Sequence, residues 1–237
     1  MKTRLYFMCV LSGLFAAGCA STHVTTDPKD PFEGYNRVVY SFNQHFDDAV
    51  AKPVAKTYKK ITPVWVDAGI TNFFSNLGDV IIVANDLLQL KLIQTTTDTA
   101  RLFFNTTIGV FGFIDVASHM DLPKHNEDFG QTLGYWGVPP GPYFVLPFLG
   151  PSTIRDTVGL GTDYFEFDPV FHKATSAARN SMYVVDFIDT RADLLSASRL
   201  LKAAALDPYT YTREAYFQRR RYYIYDGNPP PDDEEME

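Results

Sequence analysis

Few residues of this chain have the types and spacing that catalysis requires. The sequence has no Gly-x-Ser-x-Gly nucleophile elbow, no phosphate-binding loop and no dinucleotide fingerprint. Histidine occurs five times, and no two histidines are four residues apart, as two zinc ligands on one helix would be. The group most like a metal site is His119 and His125 around Asp121, followed by Glu127 and Asp128, and it equally fits a polar surface loop. The sequence therefore predicts no enzyme, no metal and no cofactor.

Cys19 is placed for a covalent modification. Two basic residues precede an apolar run, and Ala16-Ala17-Gly18 leads directly into the cysteine. This order is typical of a bacterial lipoprotein signal, which is removed before a cysteine whose thiol is acylated. We therefore predict a signal peptide over residues 1–18 and a lipid anchor at Cys19. Because Ala20 rather than Asp follows, the predicted destination is the outer membrane. The alternative is an ordinary signal peptide with a chance cysteine.

Three consecutive arginines, Arg219, Arg220 and Arg221, could contact lipid headgroups. A guanidinium offers paired N–H donors that match phosphate oxygens. The tyrosines around the run suit the headgroup level of a membrane. The alternative is a solvated face of a helix.

The composition excludes several classes of protein. The chain has 237 residues, a net charge of −7 and 46% hydrophobic residues, which is enough apolar material for a core. Nucleic-acid binding is not expected, because no basic excess exists to neutralise phosphates. Residues 19–31 are small and polar and are predicted to be a tether. The acidic, proline-containing residues 226–237 are predicted to be disordered.

Apolar periodicity predicts an all-α domain over residues 32–225. Apolar residues recur at spacings of three and four from Phe32 to Phe46, which indicates one face of a first helix. Another helix is expected to start at Pro63 and to end at Gly78. Residues 80–93 show no clean polar face, so a helix there should be buried all round or face lipid. Further helices are expected over residues 95–108 and 174–206, and from Pro208 onward.

Residues 129–154 carry no charge but contain five glycines and five prolines. Proline removes backbone donors and clashes with the preceding turn, so a continuous membrane helix is excluded. In lipid, irregular backbone is tolerated only inside protein or along a watery cavity. Two interpretations remain open, a long loop packed on a soluble core and the wall of a channel. Near the end of this segment, after Pro151, Ser152 or Thr153 is expected to cap the next short helix.

Several blocks of sequence resemble the MlaA (VacJ) lipoprotein family. They occur in family order over nearly the whole mature chain, at residues 30–37 (DPFEGYNR), 101–109 (RLFFNTTIG), 112–117 (GFIDVA), 127–134 (EDFGQTLG), 141–143 (GPY), 146–148 (LPF), 150–156 (GPSTIRD), 207–209 (DPY) and 213–216 (REAY).

The resemblance implies a fold, a function and partners. It implies a compact helical ring embedded in the periplasmic leaflet of the outer membrane. Such a protein takes misplaced phospholipids from the outer leaflet, passes them through an amphipathic channel to a periplasmic carrier of the Mla pathway, and associates with trimeric porins. Two alternatives stay open, a phospholipid-degrading surface enzyme and a structural, porin-associated surface antigen.

Two groups of residues are hypothetical channel or gating positions. The first group lies on the first helix, where polar side chains stand beside an aromatic ring and could form a mixed surface; the alternative is an ordinary packing helix. The second group lies in the uncharged stretch. The groups are Asn36, Arg37, Phe42 and Asn43, and Tyr143, Val145 and Leu146.

Overall fold

The computed structural model describes residues 27–231, and for residues 201–204 the backbone alone. Helices make up most of this range, which confirms the predicted all-α class. The α-helices are α1 (Glu33–Phe46), α2 (Lys52–Ile61), α3 (Val64–Leu88), α4 (Leu92–Thr107), α5 (Phe129–Tyr135), α6 (Ile154–Thr162), α7 (Pro169–Lys173), α8 (Ser176–Asp193), α9 (Leu195–Ala204) and α10 (Pro208–Ile224). Strands β1 (Tyr143–Leu146) and β2 (Gly150–Thr153) form an antiparallel hairpin between α5 and α6.

The first helix forms as predicted and then continues beyond its expected end. A π-helical turn over Asp47–Ala51 joins α1 to α2 without a break in the helical backbone. Arg191 on α8 holds this turn through its Nε and Nη2 atoms, which donate to Asp47. The extra residue of a π turn is therefore fixed by an ion pair from another helix.

Helix α3 differs from its prediction at one position. It starts directly after Pro63, as expected, but it runs through Gly78 for 25 residues in all. The expected end at Gly78 is wrong because a glycine that ends a helix takes a positive φ, and Gly78 has none. The chain instead leaves the helix at Leu90, whose φ is 58°, so residues 80–93 form the end of α3 and the start of α4.

Arg101 joins two of the sequence blocks. Its Nη2 lies 3.1 and 3.2 Å from the two carboxylate oxygens of Asp115, and Asn105 donates to the same carboxylate. Asn105 also accepts from the backbone N–H of Ala117. The loop after α4 is thereby folded back against the buried face of that helix.

Residues 129–154 do not form one long loop. They contain α5 and the hairpin, and helical and strand backbone satisfies many of their polar groups. The strands are four residues long and read Tyr-Phe-Val-Leu and Gly-Pro-Ser-Thr, so neither alternates apolar and polar residues as a period-two pattern requires. The predicted cap after the hairpin is confirmed at Thr153, which accepts a hydrogen bond from the N–H of Asp156.

The C-terminal part of the fold closes over the hairpin. The helix predicted over residues 174–206 is two helices, α8 and α9, separated at Leu194. Helix α10 starts at Pro208, as predicted, and Asp207 caps it. The apolar core joins α1, β1 and α10, and consists of Val39, Tyr143, Val145, Tyr209 and Tyr216.

Both predicted flexible ends make contacts with the folded part. Asp30, assigned to the tether from its sequence, is fully buried; it accepts from Arg213 at 3.0 Å and from Asn36 at 2.7 Å. Asp226, the first residue of the acidic tail, accepts from Lys91 at 2.7 Å. Packing therefore begins before Phe32 and reaches beyond residue 225.

Candidate functional site

Helix α3 has a polar face that points inward. The prediction that residues 80–93 lack a polar face is therefore wrong, because apolar residues of α3 lie outside while its carboxylates and amides are buried. Trp65 and Leu87 are 78% and 51% exposed. The buried polar residues along α3 and its end are Asn76, Asp79, Asn85, Asp86 and Gln89.

Lys124 neutralises the first of these carboxylates. Its Nζ lies 2.5 Å from Oδ1 of Asp79 and also donates to Ser75. Burial raises the pKa of Asp79, and the Lys124 ammonium opposes that rise. The other oxygen, Oδ2, has no hydrogen-bond partner among the described residues. Lys124 is thus the main group that offsets the cost of burying the Asp79 carboxylate.

Asp86 lies beside a second buried carboxylate. Asp98 on α4 is fully buried and lies 2.6 Å from Nδ1 of His125. Burial, together with the negative charges of Asp98 and Glu127, raises the pKa of Asp86 to about 8. Neither carboxyl oxygen of Asp86 accepts a hydrogen bond from the described residues. A proton on Asp86 at neutral pH lets it donate to Asp98 and removes the repulsion between the two acids.

Glu127 forms the centre of a third group. Its oxygens accept from Nζ of Lys91 at 2.8 Å and from Nε2 of Gln89 at 2.7 Å. Burial raises the pKa of Glu127, against the effect of Lys91. His125, one of the two histidines of the metal-like group in the sequence, faces Asp98. Among residues 27–231 no group of three or more His, Cys, Asp or Glu side chains is arranged to hold a metal.

Two adjoining cavities open beside this polar interior. One has a volume of about 290 Å³ and the other about 360 Å³, and both are lined by Asn126, Glu127 and Tyr223. The first is also lined by Ile82, Asp128, Gln131, Arg219 and Arg220. The second is also lined by Gln94, Lys124, His125, Tyr222, Asp226 and Gly227. The polar network and the cavities together form the candidate site.

The three consecutive arginines have three different environments. Arg220 is mostly buried, and its guanidinium bonds Asp128 and, at 2.9 Å, Asp156. Arg221 donates to the carbonyl of Pro230. Arg219 is exposed at the first cavity. Of the predicted headgroup contacts, Arg219 is thus the one on an open surface, while Arg220 fastens α10 to α5 and α6.

The four candidate residues of α1 mostly make contacts within the protein. Asn36 is fully buried and bonds the backbone of β1, and Asn43 bonds the turn that follows β1. Arg37 bonds Asp207 at 2.8 Å and lies over the ring of Tyr209. Phe42 is 48% exposed and packs edge-on against Phe148. The structure brings these residues together with the hairpin, and Phe42 borders its outer surface.

Two of the three candidate residues in the uncharged stretch belong to the core. Tyr143 and Val145 are both 0% exposed and pack in the apolar cluster under α10. A side chain without exposed surface cannot border an open channel in this conformation, so their assignment as channel walls is corrected to core packing. Leu146, on the opposite side of the strand, is half-buried. Successive side chains of a strand point to opposite faces, so Val145 and Leu146 lie on different sides of β1.

Sequence reasoning missed Asp79, Asp86 and Lys124. A signal was present, because two carboxylates seven residues apart in an otherwise apolar helix are expensive to bury and mark a polar interior. The predicted lipid attachment at Cys19 lies outside the described residues.

The outer surface carries many large apolar side chains. They cluster at the α2–α3 junction, around the end of α3 and in the loop after α4, and include Ile61, Val64, Trp65, Leu90, Leu92, Ile93, Phe103, Ile108, Val110, Phe111 and Ile114. Val110 and Phe111 have φ values of 54° and 57°, an unfavourable backbone that holds their side chains outward. Within residues 27–231 no helix has the length and apolar character needed to cross a membrane.

Comparison with known proteins gives one consistent result. A family model described as MlaA lipoprotein matches residues 28–223. The chain is 38% identical over 237 residues to the intermembrane phospholipid transport system lipoprotein MlaA of Escherichia coli (strain K12), covering 98% of this chain and 92% of that protein. It is 32% identical to the protein of that name from Haemophilus influenzae, with coverage of 96% and 93%.

A solved structure shares the fold. It comes from work on the structural basis for maintenance of bacterial outer membrane lipid asymmetry. It is 36% identical in sequence, has a TM-score of 0.73, and the match covers 84% of this chain and 99% of that one.

Proposed function

This chain belongs to the MlaA lipoprotein family, and on that premise we propose that it transports phospholipid. It takes misplaced phospholipids from the outer leaflet of the outer membrane and passes them to a soluble periplasmic carrier of the Mla pathway. Lipid asymmetry of the membrane is thereby maintained. The observation that carries this proposal is the reversed polarity of the fold, with carboxylates and amides inside and large apolar side chains outside.

The exposed apolar surface supports embedding in one leaflet. Soluble monomers rarely expose apolar patches beyond a few hundred Å², and larger ones mark contact with a membrane or partner. Here the exposed residues include Trp65 at the start of α3 and Ile93 at the start of α4, at 78% and 85% exposure. No helix among the described residues is suited to cross the bilayer, which agrees with a body that sits in the periplasmic leaflet.

The polar interior supports a path for the headgroup. A phospholipid headgroup taken from water into an apolar passage loses hydration at a cost of several kcal/mol. Side chains such as Asn126, Glu127 and Tyr223 could replace that water along the two cavities. The acyl tails need only apolar contact, which Ile82 and the outer leucines offer.

The lipid anchor at Cys19 belongs to the same proposal. Stable anchoring requires more than one acyl chain, and an acylated cysteine after signal removal supplies them. Cys19→Ala should abolish lipidation and processing at this site and shift the protein out of the outer-membrane fraction. Recovery of an unlipidated variant in that fraction, with asymmetry intact, would show that the helical body is sufficient.

Trimeric porins and the periplasmic carrier are the proposed partners. The family resemblance supports them, and a wide apolar outer face is compatible with a porin wall. Purification from outer membranes in mild detergent should recover a porin trimer with the wild-type protein. Absence of any porin after chemical cross-linking in intact cells would remove this part of the proposal.

Transport can be tested directly in a Gram-negative strain that lacks its own family member. Expression of this chain should reduce the phospholipid that an amine-reactive, membrane-impermeant label detects on the cell surface, and should restore detergent resistance. Unchanged labelling at a normal protein level would contradict the proposal.

A second assay, with purified protein, distinguishes transport from hydrolysis. Purified protein incubated with phospholipid that carries a labelled acyl chain should return intact lipid. Release of labelled fatty acid would instead identify a phospholipid-degrading enzyme.

A further inference from the structure

Among the described residues, the cavity of about 290 Å³ contains one charged side chain without a counter-ion. Its acids are already engaged, since Glu127 accepts from Lys91 and Asp128 from Arg220. Arg219 lines the same cavity, is exposed, and makes no hydrogen bond or ion pair with the described residues. A free guanidinium at a cavity whose other charges are paired favours an anionic ligand.

The same cavity contains a buried acceptor that has no donor within the described part of the chain. Gln131 is 2% exposed, and its Nε2 donates to Asp128 at 3.1 Å, which fixes the orientation of the amide. Its Oε1 has no donor among the described residues. A buried carbonyl without a donor is unfavourable, and such a group in a native protein calls for a water or a ligand. The Oε1 atom of Gln131 is therefore expected to accept a hydrogen bond from an N–H or O–H group of a ligand or water.

Asn126 and Tyr223 add neutral polar groups to the lining. The side chains of both residues line the two cavities and have no hydrogen-bond partner within residues 27–231. Each can donate to a phosphate oxygen or accept from a donor. The cavity thus offers donors around Arg219 and an acceptor at Gln131.

We propose that this cavity is a selective headgroup site for phosphodiesters that carry their own hydrogen-bond donor. Arg219 holds the phosphate, and Gln131 accepts from the ammonium of an ethanolamine or the hydroxyl of a glycerol headgroup. The proposal rests on the proposed transport function and adds a preference to it. A choline headgroup has the phosphate but no N–H or O–H, so it leaves Gln131 unpaired and binds more weakly.

The preference can be measured without any substitution. Full-length lipidated protein in a maltoside detergent is incubated with an equimolar mixture of dioleoyl lipids with ethanolamine, glycerol and choline headgroups. After gel filtration, mass spectrometry gives the retained amount of each lipid. We expect the ethanolamine and glycerol lipids to exceed the choline lipid about tenfold, the effect of one unsatisfied polar group. Equal retention of all three lipids would overturn the inference while leaving transport intact.

Substitutions assign the two contacts. Arg219→Ala should lower retention of all three lipids about tenfold, and Arg219→Lys should recover part of it. Arg199→Ala, an exposed arginine on α9 that does not line either cavity, is the matched control and should retain lipid like wild type. Gln131→Met should lower retention of the ethanolamine and glycerol lipids about tenfold, to the level of the choline lipid, whose own retention should stay within about twofold of wild type. Unchanged retention and preference in Arg219→Ala and Gln131→Met would overturn the assignment.

Two further outcomes are informative. One distinguishes a lipid from a free phosphodiester as the ligand, and the other distinguishes failure of the headgroup preference from failure of the transport proposal. Soluble glycerophosphoethanolamine has the same headgroup chemistry without acyl chains, and a large excess should displace little lipid. Displacement at equimolar concentration would show that the free phosphodiester, rather than the lipid, is the ligand. If wild type retains no phospholipid at all, the transport proposal itself fails, and the headgroup preference fails with it.

Discussion

Asn36 and Asn43 lie two helical turns apart on α1 and hold consecutive parts of the hairpin by the same pattern of contacts. Asn36 donates to the carbonyl of Tyr143 at 3.2 Å and accepts from the N–H of Val145 at 2.8 Å. Asn43 donates to the carbonyl of Leu146 at 2.9 Å and accepts from the N–H of Phe148 at 2.8 Å. Two side-chain amides thus take the place of a neighbouring strand along the free edge of β1, which is otherwise a liability.

Removing the buried amide should cost more than removing the outer one. Asn36→Ala leaves the N–H of Val145 and one oxygen of Asp30 without partners in a dry interior, at about 1–3 kcal/mol for each group. We expect a lower Tm in thermal unfolding in detergent. Asn43→Ala is the matched control, because its site is half-buried and water can replace the amide. Equal losses of Tm in the two variants would contradict this account of how Asn36 and Asn43 hold the hairpin.

The helices could be predicted from the sequence, but the direction in which their polar residues face could not. Spacing of apolar residues marks Phe32 to Phe46 and Pro208 onward because amphipathic periodicity and Asp-Pro or Thr-Pro starts are local signals. The inward face of Asp79 and Asp86 depends on what surrounds the protein. In water an apolar stripe faces the core, whereas next to lipid it faces outward, and the same periodicity describes both.

The site itself was only partly predictable for a related reason. Lys124 and Asp79 are 45 positions apart, and nothing in either local sequence links them. The hairpin could not be predicted because its strands are short. Glycine is typical of helix ends, so Gly78 predicted an end of the helix, but its φ is not positive and the helix continues through it. Arg219 was among three equivalent arginines in the sequence, and only packing separates it from Arg220.

Val145→Asp tests the corrected position of Val145 in the core. An unpaired carboxylate in a packed apolar cluster costs several kcal/mol, so the variant should accumulate poorly or unfold at a much lower temperature. Leu146→Asp, on the other side of the same strand, should be better tolerated because its side chain is half-buried. The two protein levels are compared by immunoblot of membrane fractions. Normal accumulation of Val145→Asp would favour a water-filled space at this position.

The pKa of Asp86, about 8, predicts how stability depends on pH. An unfolded aspartate has a pKa of about 3.9, so between roughly pH 4 and 8 the folded state holds a proton that the unfolded state does not. Stability from this group is therefore full below pH 4, falls as pH rises, and levels off above pH 8. Asp86→Asn is neutral at every pH and keeps a donor for Asp98, so its stability should fall less between pH 6.5 and 8.

The difference between variant and wild type isolates Asp86 from the other buried acids. Asp163, whose pKa burial raises to about 6, contributes mostly below the chosen window and is present in both proteins. The measurement is Tm in one detergent at pH 6.5, 7.5 and 8.5. Asp121→Asn, at an exposed position with a positive φ that asparagine also adopts, is the control and should keep the wild-type slope. Parallel curves for wild type and Asp86→Asn would show that Asp86 is ionised throughout.

Gly159 and Gly161 form a matched pair on α6. A Cβ on Gly159 would lie 2.6 Å from Cα of Gly130 and 3.0 Å from the carbonyl carbon of Phe129, both backbone atoms at the start of α5. Backbone cannot give way as a flexible side chain can, so Gly159→Ala should separate the two helices at a cost of several kcal/mol.

A Cβ on Gly161 meets nothing within 4 Å, and this glycine has no positive φ. Gly161→Ala should therefore stabilise α6 by about 0.4–1 kcal/mol through reduced freedom of the unfolded chain. Asp128, which caps α5, and Asp156 on α6 bind Arg220, and Gln131 on α5 donates to Asp128. Gly159→Ala should therefore also reduce phospholipid retention, while Gly161→Ala should leave it unchanged. Similar Tm values for both variants would show that the two helices are not in backbone contact.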